Sequence, residues 1–164
     1  MDGIDVRGLN RMSKLYVLAG RPGEGKTEYL EKAKAQYGDA FQLVSAKDYC
    51  SHEDLMKALY DHVQDDRCKC IAIDDYEVSL IKNWGNCIDD ADYRRKLSIM
   101  SGFSDAFNVS IIVVAGLKRE ADSEENIYSD KAFLRSKALN EETNDIFFVK
   151  GGSLNKYRSK RVIT

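Results

Sequence analysis

Histidine is scarce in this chain of 164 residues: only His52 and His62 are present, and neither lies beside a set of cysteines or carboxylates that would make a ligand cluster or a triad. Zinc chemistry and serine-type hydrolysis are therefore not expected. The four cysteines include Cys68 and Cys70, which stand too close together for a two-knuckle zinc pattern and read as reduced, structural thiols. Long hydrophobic runs are missing as well. The longest, such as IIVVAGL at 111–117, fall far short of the about 20 residues that cross a bilayer, and the first residues carry no apolar signal core. A soluble, cytoplasmic protein with no membrane partner is expected.

Net charge is also small, at -2, which speaks neither for nor against a nucleic-acid partner because binding depends on where charge clusters. Here it clusters. From residue 150 onward the chain carries Lys150, Lys156, Arg158, Lys160 and Arg161 with no acid, while 61–92 is rich in Asp. The basic run reads equally as a solvated face or as a strip for backbone phosphates, with Tyr157 placed to stack on a base of single-stranded DNA.

An apolar content of 43% is enough for one core of ordinary size, so residues 1–164 are read as a single domain, with 1–13 as a flexible lead-in. Apolar runs and amphipathic segments alternate along it. KLYVLA (14–19), FQLVS (41–45), KCIAI (69–73), VSIIVVA (109–115) and IFFV (146–149) read as strands, with RVIT (161–164) as a further strand closing the sheet. Between them, Leu30, Ala33 and Tyr37 mark a helical face ending at Gly38. Ser51 with Asp54 caps a helix carrying Leu55, Met56, Leu59 and Val63, and Tyr93, Leu97, Met100, Phe103 and Phe107 recur at helical spacing. A polar loop over 118–130 and a short helix around 133–139 complete the reading. Strands that are apolar runs and not alternations belong to a mostly parallel, twisted sheet with helices on both faces, a three-layer α/β arrangement.

The chemistry-bearing stretch is GRPGEGKT at 20–27, directly after the first strand and before the first helix. It matches G-x-x-x-x-G-K-[ST], the loop of P-loop nucleoside triphosphatases, in the strand-loop-helix context that motif requires. Gly20, Gly23 and Gly25 let consecutive backbone N–H groups turn inward without Cβ clashes, and the following helix adds its positive end. Pro22 stiffens the loop, Lys26 brings a point charge to the β- and γ-phosphates, and the Thr27 hydroxyl takes one Mg²⁺ position. Arg21 and Glu24 complete the stretch, the Glu24 carboxylate pointing outward from the phosphates. The second carboxylate for Mg²⁺ is expected on a strand flanking the loop, and Asp74, at the end of IAIDD, is the candidate. Asp75 or Glu77 is placed to orient the attacking water; the sequence does not choose between them.

Several segments together resemble the RecA-like ATPase domain of DnaB-type replicative DNA helicases over nearly the whole chain. GRPGEGKT is similar to that family's phosphate loop, IDDY to its metal-binding strand end, FNVSIIVVAGLKRE to its fourth strand and sensor turn, and LRSKALNEETNDIFFV to the residues before its fifth strand. The resemblance implies ATP and Mg²⁺ as ligands, Lys26, Thr27 and the acidic pair Asp74 and Asp75 as their holders, and hydrolysis within a ring of copies or with other replication proteins. KYR at 156–158 corresponds to a Lys-x-Arg that would bring Lys156 and Arg158 to the γ-phosphate of a neighbouring subunit. Three features depart from the pattern. Lys47 stands where the family has a catalytic Glu, Gly116 stands where it has a sensor Gln, and the loop after the fourth strand is acidic, with Glu120, Asp122, Glu124 and Glu125, so that it repels phosphates. The family's amino-terminal helical domain has no counterpart in these residues. Besides an ATPase related to ring helicases, two other readings follow: a small-molecule P-loop kinase with a lid over 118–137 carrying Lys118, Arg119 and Arg135, and a nucleotide-binding interaction module without efficient hydrolysis.

Overall fold

The computed structural model describes residues 14–20, 25–84, 90–116, 143, 145–150 and 153–159. The lead-in 1–13, loop residues Arg21, Pro22, Gly23 and Glu24, the polar segment 118–130, the helix around 133–139, the kinase-type clamp of Lys118, Arg119 and Arg135, and RVIT lie outside them.

Six strands form one sheet: β1 (Leu15–Gly20), β2 (Phe41–Ser45), β3 (Cys70–Asp74), β4 (Ser110–Gly116), β5 (Asp145–Lys150) and β6 (Ser153–Ser159), in the spatial order β2-β3-β4-β1-β5-β6. The first five run parallel, and β6 turns back antiparallel along β5. Among the described residues, the sheet therefore ends at SLNKYRS. An edge strand needs only one row of backbone partners, so this polar stretch qualifies without an apolar run.

The helices are α1 (Lys26–Tyr37), α2 (His52–Val63), the short α3 (Tyr76–Val78) that continues as a π-helical turn over Ser79–Asn83, and α4 (Asp90–Phe107). Local chemistry sets their ends. The Ser51 hydroxyl accepts the Asp54 N–H at 3.1 Å to start α2, and α1 stops at Gly38, whose φ of 59° suits glycine.

Period-two geometry divides each central strand between two cores. Leu15, Val17 and Ala19 of β1, with Ile71 and Ile73 of β3 and Ile111 and Val113 of β4, pack with Leu55 and Leu59 of α2 and Tyr93, Leu97 and Met100 of α4. Tyr16 and Leu18, with Cys70, Ala72, Ile112 and Val114, pack with Leu30 and Ala33 of α1. Both faces of the sheet are thus covered, as the apolar runs require. Each fully buried Leu or Ile contributes about 1.5–3 kcal/mol, so the central strands are fixed well before any ligand is considered.

Because all five parallel strands point the same way, the ends of β1, β3 and β4 share one edge. In open α/β sheets that edge is where ligands bind. Gly20 closes β1 where the β5 backbone comes close: a Cβ built there would meet the Val149 carbonyl oxygen at 2.8 Å and the Lys26 Cγ at 3.2 Å. Gly20→Ala is expected to lower stability by about 1–3 kcal/mol through this overpacking; a urea midpoint equal to that of the unsubstituted protein would show that β5 yields without cost.

Candidate nucleotide site

The site is assembled from the ends of three strands. Gly20 ends β1, and Gly25, in the left-handed region at φ 91°, turns the chain into α1; its carbonyl accepts the Tyr29 N–H at 2.9 Å as the first helical bond. The start of α1 thus presents unsatisfied N–H groups at the sheet edge, a fitting arrangement for an anion. From the first turn Lys26 donates through Nζ to the Gly20 carbonyl oxygen at 2.6 Å. Burial pushes the Lys26 pKa below the ordinary lysine value, against the opposing pull of Asp74, Glu77 and Asp75.

Thr27 and Asp74 meet here: the Thr27 hydroxyl donates to Asp74 Oδ2 at 2.8 Å, and the backbone N–H of Asp75 donates to Asp74 Oδ1 at 2.9 Å. Sequence reasoning puts the Asp74 strand beside the loop strand. In the structure β4 lies between β1 and β3, and the Thr27–Asp74 contact spans its end. A hydroxyl and a carboxylate oxygen are hard donors suited to Mg²⁺, which takes one or two protein ligands and completes its shell with phosphates and water. The pair fits that ion, and among the described residues no group of three or more His, Cys, Asp or Glu side chains forms a richer cation site.

Asp75 adopts φ 56°, a left-handed conformation that non-glycine residues hold at some cost, and its carboxylate lies 3.7 Å from Lys47 Nζ. Lys47 comes from the turn Ala46–Asp48 directly after β2, the strand next to β3. Where the helicase pattern has an acid, this chain therefore brings a cation that pairs with the neighbouring acid. Glu77 sits in α3, buried at 2% exposure, and accepts a hydrogen bond from the Tyr93 hydroxyl of α4 at 2.7 Å. Gly116 ends β4 at the same edge. Arg158 belongs to β6, paired with Ile146, which in turn pairs with Val17; its backbone is three strand positions below Gly20 and apart from the site of its own chain. Lys156, opposite Phe147, is one position nearer that edge.

Tyr93 and the anchoring of the segment after β3 escaped the sequence reading. Tyr93 stands within a helical core pattern, and nothing in that pattern marks its hydroxyl as a partner for an acid 16 residues earlier. His52, the first residue of α2, is buried with Nε2 2.9 Å from the Tyr76 hydroxyl and its ring edge-on to Tyr76 and Trp84. The Trp84 indole donates to the Tyr49 carbonyl at 2.8 Å. These contacts pin the turn that carries Asp75 and Glu77.

No family model matches the chain, and no curated protein matches it. Among solved structures, the KaiC-like protein PH0186 from the hyperthermophilic archaeon Pyrococcus horikoshii OT3 is similar, with a TM-score of 0.57, 13% identity, and coverage of 83% of this chain and 70% of that one. Sheet order, the glycine-bounded loop and this likeness define an α/β P-loop fold of the RecA-like type. At this identity the likeness speaks for the fold alone. Among the described residues, no helix is long and apolar enough to cross a membrane.

Burial pushes the His52 pKa down to about 4, helped by the charge of Lys96, whereas an unfolded histidine titrates near 6.5. Between those values the unfolded chain takes up a proton that the folded chain refuses, so stability falls as pH drops through that window, by up to about 3 kcal/mol. His52→Gln should flatten this part of the pH profile in urea titrations at pH 7 and pH 4.5; an unchanged slope would show that His52 is not its source.

Proposed function

We propose that this chain is a Mg²⁺-dependent ATP-binding domain that hydrolyses ATP, a single RecA-like unit related to the motor domain of DnaB-type replicative helicases. The observation that carries this reading is the Thr27–Asp74 hydrogen bond, which joins the helix after the glycine loop to an acid at the end of β3. In this reading the backbone from Gly20 through Arg21, Pro22, Gly23, Glu24 and Gly25 to Thr27 cradles the phosphates, and Lys26 leaves the Gly20 carbonyl to meet the β- and γ-phosphates. Thr27 and Asp74 hold Mg²⁺, which when bound withdraws charge from the phosphate oxygens. Asp75 and Glu77 are the acids available to orient water.

Turnover in an isolated chain is slow on this reading. Lys47 neutralises Asp75, and Arg158 lies on an edge strand, where it serves a neighbouring copy and not its own site. An arginine supplied across an interface raises rates of P-loop enzymes by about 10³–10⁵. Ring-like self-association, or assembly with other replication proteins in the cytoplasm, would complete the site, and the edge bearing Lys156, Tyr157 and Arg158 is the strip for single-stranded DNA. The Lys47–Asp75 pair equally favours a second reading, a nucleotide-gated interaction module that binds ATP without efficient hydrolysis.

Lys26→Ala should weaken Mg²⁺-ATP binding by at least about 100-fold in calorimetric titration, the loss of a buried charge pairing, and Asp74→Asn should remove the Mg²⁺ dependence of what binding remains. ATP affinity untouched by Lys26→Ala would sink the reading. Phosphate release measured alongside molar mass, with and without single-stranded DNA, separates the hydrolysing form from the module.

A further inference from the structure

Three acids follow one another at the end of β3, and their surroundings differ. Asp74 accepts from the Thr27 hydroxyl through Oδ2 and from the Asp75 N–H through Oδ1, so its carboxylate is held at the end of β3 facing Thr27. Asp75 points to the rim, its side chain 30% exposed and set against the more exposed Lys47. Glu77, like Asp74, is buried, and its Oε2 is fixed by a phenol that is itself fully buried. A buried carboxylate is costly, and an apolar residue in its place is often neutral or stabilising. An acid in that setting, three residues after Asp74, invites a chemical role.

We propose that Glu77 is the catalytic carboxylate that orients and deprotonates the attacking water, and that Tyr93 is the positioning residue that holds it. The assignment rests on the ATP-hydrolysing reading above and deepens it by choosing between the two acids. α3 follows the end of β3 directly and packs on β4, the strand between β1 and β3, so Glu77 belongs to the same edge of the sheet as Gly20 and Asp74. That is the same edge at which Gly116 replaces the sensor glutamine of the helicase pattern and Lys47 its acid.

In the step itself the water oxygen bonds to the γ-phosphorus while the bond from that phosphorus to the β–γ bridging oxygen breaks. Glu77 takes the proton that the water loses and passes it on to solvent. ADP and inorganic phosphate leave, with no change of oxidation state. Tyr93, anchored in the core beside Leu97 and Met100, fixes one carboxylate oxygen and so limits the directions in which the other can face.

The test uses the full chain with Mg²⁺-ATP and compares ATP affinity, phosphate release and thermal midpoint for Glu77→Gln, Tyr93→Phe and Asp75→Asn. Glu77→Gln is expected to bind ATP within threefold of the unsubstituted protein while phosphate release falls by about 100-fold or more, the span of general-base catalysis. Tyr93→Phe keeps the ring and the core, and should lower kcat by about tenfold with KM unchanged, a split that a purely structural tyrosine would not produce. Should Glu77→Gln lose its thermal transition, that split in Tyr93→Phe decides alone. Full turnover in Glu77→Gln, an unchanged kcat in Tyr93→Phe, or a loss confined to Asp75→Asn overturns the assignment and leaves the nucleotide site standing. An unsubstituted protein that binds ATP but releases no phosphate also overturns it. Failure to bind ATP at all removes the parent reading, and this assignment with it.

Discussion

The site depends on one hydrogen bond, from the Thr27 hydroxyl to Asp74 Oδ2, made across the end of a strand that contributes to neither residue. Everything around it serves to hold its two ends still. On one side α1 is seated by Leu30 and Ala33; on the other β3 is locked by Ile71 and Ile73 in one core and Cys70 and Ala72 in the other. Side chains packed at this density leave little room for the 1 Å errors that would separate the Thr27–Asp74 pair.

The charges at the edge form a graded set. Lys26 is partly buried among acids, Asp75 is tied to Lys47 at the rim, and Glu77 is buried against Tyr93. Bringing three carboxylates so close would be unfavourable without the cations and hydroxyls interleaved among them. An arriving polyphosphate would enter a place where Lys26 already has acidic neighbours, and a divalent ion would offset the added negative charge. The composition of the edge and the fitness of Thr27 and Asp74 for Mg²⁺ are thus two sides of one electrostatic constraint.

Much of this was legible in the residues. The glycine loop between an apolar run and an amphipathic segment fixed β1 and α1, and Ser51 with Asp54 marked the start of α2, because these signals act over three or four neighbours and need no tertiary partner. Strand order was not legible: Ile and Val runs state burial on both faces but not which strand lies alongside, so the insertion of β4 between β1 and β3 went unseen. β6 was hidden for the opposite reason. SLNKYRS is polar and reads as a solvated stretch, whereas pairing with β5 asks only for its backbone. Tyr93 was placed correctly as a core residue, yet its hydroxyl found Glu77 through the fold, and a pattern of apolar spacing carries no information about where one oxygen points.

The interposed β4 also imposes an order on assembly. Thr27 and Asp74 both precede in the chain the strand that spaces them, Ser110–Gly116, so the pair has no scaffold until that later strand has been made. During synthesis, nucleotide capture would therefore come late and act as a seal on an already completed sheet, not as a seed for it.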